Sequence, residues 1–376
     1  MSVAVPSWRT ATRDRARVSG IASFPAVLSM NPYQRLLYDH LRDEGFELVP
    51  ESRFTLRWLT DARSRVDVLH LHWPEGLYTF QRGPAVLRPL GSRAKLVLFA
   101  VRLGYARALG YRIAWTVHQV YPHGSPGRGV DRLGALVLAR AAHVLIVHDE
   151  TTRDHVAAAL GPGTAARLAI VPHGSYVGVY PPGRSRAELR RELDLDDAAF
   201  VFLCFGELRA HKSWRLVVRA FRATAPSGSA LVLAGMVRSA TVRNAILAET
   251  AGDPRIRLLL RFVDDAEVAE LFGAADAAVV PRDDGGTSGS LLLPLSLGVP
   301  VVVADRPTYR DVAGNGDAGW LFTPGDERSL RAALERAAAD PRGAQRRGAA
   351  ALQCALRLRW PDVAARTARV LRGAGA

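Results

Sequence analysis

Short apolar runs alternate with amphipathic helical patterns along almost the whole chain. The first half contains the runs IASFPAVLS, VDVLHLHW, RIAWTVH, HVLIVHD and LAIVPHG, and most of them are followed by a segment with helical spacing. Such alternation indicates parallel strands with helices packed on both faces of a sheet. The pattern therefore restricts the chain to the α/β class.

The same pattern starts again after a Pro/Gly/Arg-rich connection near residues 180–186. The second half contains FVFLCFG, ALVLAG, RIRLLL, AAVVP and VPVVVAD. We expect two doubly wound, Rossmann-like domains that face a cleft, because ligands of such sheets bind beyond the carboxyl ends of the strands. The predicted limits are a flexible Arg-rich tail at 1–20, domains at 21–183 and 184–358, and a final helix at 359–376 that could return to the first domain.

The composition of the chain restricts the class of ligand more than it restricts the fold. The net charge of +14 would suit nucleic acid, but the basic residues are scattered and only Lys95 and Lys212 are lysines. We therefore predict no nucleic-acid partner, and the charge remains compatible with a small anionic ligand. Cys204 and Cys354 provide neither a disulfide framework nor a metal-ligand spacing.

The termini and the apolar stretches predict a cytoplasmic protein. No segment has the length of a transmembrane span or the apolar core of a signal peptide. The stretch 96–110 is apolar but contains Arg102 and Arg107. It is expected to be an internal helix leading to the next strand, with peripheral contact to the inner face of a membrane as the alternative.

Residues 281–303, PRDDGGTSGSLLLPLSLGVPVVV, place a Gly/Ser/Thr loop before an apolar helix. A helix that begins near Thr287, Ser288, Gly289 and Ser290 has backbone amides free to bind a phosphate, although such residues also cap helices that bind nothing. The adjacent Asp283 and Asp284 are interpreted as solvated and not as metal ligands.

A second candidate for phosphate binding is FGELRAHKS, residues 205–213. It follows the first strand of the second half, so Gly206, Arg209 and Lys212 should lie at the cleft. Two cations there could hold a diphosphate and neutralise a leaving nucleoside diphosphate; two solvated loop charges are the alternative. The chain has neither a G-x-G-x-x-G fingerprint nor a Walker lysine motif, and its Gly-rich stretches at 124–129 and 314–319 are predicted to be loops.

In the first half, HLHWPE ends a predicted strand and would bring His72, Trp73 and Glu75 to the cleft. Trp73 could stack on a sugar, and His72, Trp73 and Asn31 are the acceptor-binding candidates. Glu75 and His118 are the candidates for a general base. His70 is predicted to be a buried, hydrogen-bonded strand residue.

From about residue 22 the chain resembles GT-B-fold glycosyltransferases similar to family 4. The matching stretches are HLHWPE at 70–75, WTVHQVYPHG at 115–124, VPHGSYVGVYP at 171–181, FGELRAHKS at 205–213 and TSGSLLLPLSLGVPVVV at 287–303. The resemblance implies that the second domain binds a nucleotide sugar, that the first binds the acceptor, and that no tightly bound metal or cofactor is needed. It also implies that Arg209 and Lys212 hold the diphosphate and that His118 lies near the donor sugar.

The chain departs from that family in its donor loop and at Glu207, which stands where members often have an arginine after the strand-end glycine. Typical members have two glutamates flanking the donor loop, and Gly285 and Leu293 stand at the corresponding positions. An apolar Leu293 cannot accept hydrogen bonds from ribose hydroxyls. The nucleotide base, the sugar and the stereochemical outcome therefore stay open.

Together these observations predict transfer of a hexosyl group from a nucleoside-diphosphate sugar to a hydroxyl of a glycan, lipid-linked or small-molecule acceptor. Two alternatives stay open at this point: a sugar-nucleotide epimerase or phosphorylase on the same scaffold, and a non-catalytic sugar or nucleotide binder. The oligomeric state is not predicted.

Overall fold

The computed structural model contains two parallel six-stranded sheets, each covered by helices on both faces. It describes residues 18–27, 32–50, 52–80, 84–119, 121, 128–209, 214–224, 228–281 and 289–373.

The first sheet has the strand order β2-β1-β3-β4-β5-β6. Its strands are β1 Ser19–Phe24, β2 Phe46–Leu48, β3 Val68–Leu71, β4 Arg112–Thr116, β5 Val144–Val147 and β6 Leu168–Ile170. The helices between them are α1 Pro32–Asp43, α2 Leu56–Ala62, α3 Glu75–Tyr78, α4 Arg88–Ala108, α5 Arg128–Ala141 and α6 Glu150–Leu160. The order of strands reverses between β1 and β3, so the ends of these strands border a crevice.

The second sheet has the order β12-β11-β10-β7-β8-β9. Its strands are β7 Phe200–Phe205, β8 Ser229–Ala234, β9 Ile256–Leu259, β10 Ala277–Val280, β11 Val301–Ala304 and β12 Gly319–Phe322. Its helices are α7 Arg186–Glu192, α8 Trp214–Thr224, α9 Ala240–Thr250, α10 Asp265–Ala274, α11 Gly289–Ser296, α12 Pro307–Val312, α13 Glu327–Ala338 and α14 Pro341–Leu356. Here the reversal lies between β7 and β10, the strands that precede the two predicted phosphate-binding segments. Two doubly wound sheets were predicted, and the structure confirms them.

The last helix, α15 Trp360–Arg372, packs against α1. Its apolar residues Trp360, Val363 and Leu371 share a core with Tyr33 and Leu37 of α1 on one face of the first sheet. The opposite face of that sheet is covered by a separate core that includes residues of α4 and α5. The domain limits given above stay predictions.

Two of the predicted loops are wrong in part. Gly319 begins β12, where a side chain would place its Cβ 1.8 Å from the carbonyl oxygen of Val301 on the neighbouring strand. Glycine here permits close approach of two backbones. Gly129 lies in the first turn of α5, whereas residues 124–127 lie outside the described residues.

Candidate active site

Four neighbouring strands of the first sheet are each followed closely by a histidine. His72 follows β3, His118 follows β4, His148 follows β5 and His173 follows β6. Parallel strands end at one edge, so these side chains meet. Nδ1 of His72 lies 3.2 Å from Nε2 of His118, and the ring of His148 lies 5.3 Å from those of both His118 and His173. These four residues are called the histidine row below.

Two tyrosines of α1, Tyr33 and Tyr38, contact the histidine row. Tyr33, which is 3 % exposed, lies with its ring centre 5.0 Å from that of His118 and 4.7 Å from that of His173. The hydroxyl of Tyr38 lies 2.9 Å from Nε2 of His72 and 3.0 Å from Nδ1 of His70. The helix that begins after β1 therefore orients the row.

His70 lies one layer deeper and is fully buried. Its second nitrogen, Nε2, lies 2.8 Å from the hydroxyl of Thr116. Both ring nitrogens therefore have partners, and the prediction of a buried, hydrogen-bonded strand histidine is confirmed.

Burial keeps the histidine row uncharged. It lowers the pKa of His173 to about 3 and lowers the pKa values of His72, His118 and His148 below their usual range, and neighbouring histidines lower those of His72, His118 and His173 further. A neutral imidazole can donate or accept a hydrogen bond but supplies no positive charge.

Among the predicted acceptor-binding residues, Trp73 lies next to the histidine row, and His72 is a buried member of the row. The ring of Trp73 stacks on His118, with centres 4.3 Å apart and planes 14° apart. Both rings are only partly buried. His72 is 1 % exposed and both of its nitrogens face other side chains, so it is placed to orient His118 and not to touch a ligand directly. Asn31 lies outside the described residues.

Glu75 is the first residue of α3 and is half-buried. Burial raises the pKa of its carboxyl, and the nearby Asp131 raises it further, against opposing hydrogen bonds from its own backbone amide and from the side chain of Gln119. A carboxylate in this environment holds a proton more readily than an exposed one. Of the two predicted general bases, Glu75 has the environment that strengthens a base and His118 has one that weakens it.

The second domain meets this region at the start of α11. A side chain at Gly289 would place its Cβ 2.6 Å from the hydroxyl of Tyr176, whose ring centre lies 5.7 Å from that of His173. The backbone amide of Tyr176 also donates to the hydroxyl of Ser296 in α11. The N-terminal end of α11, with Gly289 and Ser290, therefore lies at the same cleft as the histidine row. Thr287, Ser288 and Gly285 lie outside the described residues, and Leu293 is buried in the core of the second domain.

The segment after β7 is a tight turn with a paired arginine. Gly206 has a φ of 120°, and its carbonyl oxygen would lie 2.0 Å from a Cβ at Gly235, so the two strand ends approach closely. Arg209 donates to Glu207 at 2.5 Å, and Glu207 also accepts from Arg238 at 3.2 Å. Arg209, one of the two cations predicted to hold a diphosphate, is therefore ion-paired with a carboxylate. Lys212 lies outside the described residues.

Sequence reasoning missed several residues of this site, among them Tyr33, Tyr38, His148 and Tyr176. A signal for His148 was present, since four successive apolar runs end in LHLH, WTVH, LIVH and IVPH. The tyrosines carry no such signal because aromatic residues in helices and loops most often fill cores.

No group of three or more His, Cys, Asp or Glu side chains arranged to hold a metal ion occurs within the described ranges. None of the helices formed by those residues has the length and apolarity to cross a membrane.

Comparison with known proteins supports the resemblance. A family profile described as "Glycosyl transferases group 1" matches residues 185–353. The chain is 28% identical over 346 residues to a protein of Xanthomonas campestris pv. campestris named "GDP-mannose:glycolipid 4-beta-D-mannosyltransferase", covering 91% of this chain and 90% of that one. It is 29% identical over 214 residues to a D-inositol 3-phosphate glycosyltransferase of Thermobispora bispora, covering 54% of this chain and 50% of that one.

Solved structures support the fold. The Anabaena Alr3699/HepE structure in complex with UDP and glucose matches with a TM-score of 0.71 at 16% identity, covering 94% of this chain and 100% of the other. WaaG, a glycosyltransferase involved in lipopolysaccharide biosynthesis, matches with a TM-score of 0.66 at 13% identity, covering 94% and 100%. The two-domain GT-B architecture expected from the sequence is confirmed.

Proposed function

We propose that this chain, which is a GT-B glycosyltransferase related to family 4, transfers a mannosyl group from GDP-mannose to a hydroxyl of a lipid-linked saccharide. The enzyme class follows from the family profile and from the full-length relatives. An epimerase, a phosphorylase or a non-catalytic binder is not favoured by them. The donor and acceptor are taken from the named activity of relatives that match over 91% of the chain.

The observation that carries the proposal is the meeting of two surfaces at one cleft. Trp73, His118 and Glu75 come from strand ends of the first domain, and Gly289 and Ser290 open a helix of the second domain. Tyr176 connects the two surfaces through its contacts with His173 and with the site of Gly289. An acceptor on the first surface would face a diphosphate held by helix amides on the second.

We assign the general base to Glu75. The mannose of GDP-mannose is alpha-linked, and a beta-linked product, as in the name of the Xanthomonas relatives, requires inversion at the anomeric carbon. The carboxylate of Glu75 would take the proton of the acceptor hydroxyl while the acceptor oxygen bonds to the anomeric carbon. The bond from that carbon to the diphosphate oxygen breaks, and its electron pair leaves with GDP.

The leaving diphosphate needs groups that stabilise its negative charge. Arg209, Lys212 and the amides at Thr287 to Ser290 are the residues we propose for this role, together with the dipole of α11. Neutral His118, stacked beside Trp73, would donate or accept a hydrogen bond at the donor sugar. The proposal includes no resident metal or cofactor.

A lipid-linked acceptor would be located in a membrane, so we expect the enzyme to act at a membrane surface. One face of α4 fills the core through Phe99 and Leu103, whereas Leu90, Val97 and Val101 on the other face are 65%, 64% and 51% exposed. The spacing of Leu90, Val97 and Val101 puts them on one side of the helix, and the exposed Arg93 lies among them. An apolar face that carries a cation suits peripheral contact with anionic lipid. We propose that the protein acts from the cytoplasmic side through this face of α4.

A donor panel tests the proposed activity. The full chain is incubated with GDP-mannose, UDP-glucose and other sugar nucleotides, with and without lipid-linked saccharides, and release of the nucleoside diphosphate is followed. We expect release from GDP-mannose that depends on the acceptor and yields a beta-linked product. Saturable binding of every donor without turnover would overturn the proposal, and an alpha-linked product would remove the assignment of Glu75.

A further inference from the structure

Asp131 is a buried acidic residue at the start of α5. It lies in the first turn of α5 and is 1 % exposed. Neither of its oxygens has a hydrogen-bond partner among the residues that the structure describes. Buried carboxylates are nearly always hydrogen-bonded or ion-paired, so an unpaired one calls for a functional explanation.

The packing of two helices brings Asp131 opposite Glu75. Both α3 and α5 begin at the carboxyl edge of the first sheet and run in the same direction away from it. They touch where the ring of Tyr78 lies against Gly134, since a Cβ on that glycine would be only 2.8 Å from the ring. Glu75 and Asp131 each precede this contact by three residues, so they lie on the facing sides of the two helices, one turn closer to the cleft.

We propose that Asp131 is a positioning residue for Glu75, whose unpaired negative charge makes the Glu75 carboxylate a stronger base toward the acceptor hydroxyl. The inference rests on the proposed function, because it concerns the group to which we assign proton removal.

Electrostatics supports this geometry. Two carboxylates in a poorly solvated site repel each other, and the repulsion is relieved when one of them takes up a proton. Glu75 gains a proton in the proposed step, so the charge of Asp131 would favour the transition state over the ground state. The raised pKa of Glu75 has burial as its larger cause and Asp131 as its second.

Among the described residues, Tyr78, Lys95 and His118 are titratable or charged groups on the elements around the pair. Tyr78 shares α3 with Glu75, and burial together with the two carboxylates raises its pKa, which keeps the phenol neutral. Lys95 of α4 donates to the carbonyl oxygens of Gly76 and Thr79. His118, on the strand side, is neutral because burial lowers its pKa.

The test compares pH profiles of kcat/KM for the full chain and two variants with the donor that it turns over. Asp131→Asn removes the charge and keeps the shape. Asp154→Asn is the matched control, because it removes an exposed carboxylate of the same domain that pairs with Arg153 of α6. We expect Asp131→Asn to move the acidic limb down by about one pH unit and to lower the plateau about tenfold, with KM little changed. Asp154→Asn should leave the limb in place.

A second readout does not depend on turnover. The pKa of the Glu75 carboxyl is measured by ¹³C NMR, with its signal assigned by its loss in Glu75→Gln. Asp131→Asn, or Asp131→Leu if the amide variant does not fold, should lower that pKa by a similar shift. An unmoved pKa in a folded variant overturns the inference. Absence of turnover in the wild type together with a shifted pKa would overturn the proposed function and leave the carboxyl pairing intact.

Discussion

The hydroxyl of Tyr176 lies 2.6 Å from the position that a Cβ on Gly289 would occupy. Tyr176 is 5% exposed and contacts the histidine row through His173, whereas Gly289 begins the helix proposed to bind the donor phosphates. This contact is therefore one of those that set the separation between the proposed acceptor side and the proposed donor side of the cleft.

Any side chain at Gly289 should disturb that separation. We expect Gly289→Ala to destabilise the folded chain by about 1–3 kcal/mol because the buried tyrosine has little room to move. Tyr176→Phe removes the clashing oxygen, so the double variant should recover much of the loss in stability and activity. Gly163→Ala is the control, since a Cβ there meets nothing within 4 Å. Purely additive effects of the two changes would show that the contact does not couple the domains.

The assignment of the general base to Glu75 predicts different losses of activity for substitutions of Glu75 and His118. Glu75→Gln should lower kcat by about 10²–10⁴-fold with donor KM little changed, because it removes the proton acceptor. His118→Ala should lower kcat less, since burial lowers the pKa of that ring and makes it a weaker base. Steady-state kinetics with saturating acceptor measures both. A larger loss in His118→Ala than in Glu75→Gln would transfer the role of base to the histidine.

The proposed diphosphate site makes a prediction about the binding of GDP alone. Arg209→Ala and Lys212→Ala should each weaken GDP binding about tenfold, as charge-assisted hydrogen bonds are lost. Arg219→Ala removes an exposed arginine of the same domain that pairs with Glu327 and should leave GDP affinity unchanged. Isothermal titration calorimetry distinguishes them. Equal affinity in all three variants would remove the proposed donor site.

The buried histidines predict that the fold is sensitive to acid. The pKa of His70 and His173 is about 3 in the folded chain, well below the usual 6.5, so the unfolded chain binds protons that the folded chain cannot. The free energy of unfolding should therefore keep its full value, as far as these histidines are concerned, above about pH 6.5. It should decrease between pH 6.5 and pH 3 by about 1.4 kcal/mol per pH unit for each such histidine. Urea unfolding at pH 7.5, 6 and 5 measures this slope. His173→Gln should reduce the slope.

The exposed face of α4 predicts binding to anionic vesicles. The double change Val97→Glu and Val101→Glu should reduce flotation with phosphatidylcholine vesicles that contain phosphatidylglycerol by about tenfold or more, since it puts negative charge on the exposed apolar face that would contact the lipid. Leu247→Glu provides the control, because Leu247 is 48% exposed on α9 of the other domain. Flotation that survives the α4 changes, or that is lost equally in the control, would contradict a membrane role for this helix.

Much of the fold could be predicted because the strands and helices of a parallel α/β domain produce a recognisable pattern of apolar residues in the sequence. The buried strands β3 to β6 and the helix that begins at Gly289 follow directly from apolar runs and turn residues. Two strands were not found, β2 and β12. Both are short edge strands, and β12 begins at a glycine whose role is visible only from the carbonyl oxygen of Val301 beside it.

The candidate site was predicted less completely than the fold. Strand ends converge by topology, so Trp73, Glu75 and His118 could be placed at one edge from the sequence. The side chains that contact these residues could not be predicted, because they come from distant elements. The hydroxyl of Tyr38 of α1 lies within hydrogen-bond distance of His72, and Asp131 of α5 faces Glu75. Arg209 was expected to face a diphosphate, and its pairing with Glu207 appears only in three dimensions.

By itself, the sequence determined the class of fold, the two-domain division and the edges at which chemistry can occur, since hydrophobic periodicity and turn chemistry act locally. The tertiary structure alone decided which of those edge residues are charged, neutral, paired or exposed. Burial and neighbouring charges act through space, so the neutral histidine row, the unpaired Asp131 beside Glu75 and the exposed apolar face of α4 arise only when distant segments pack together.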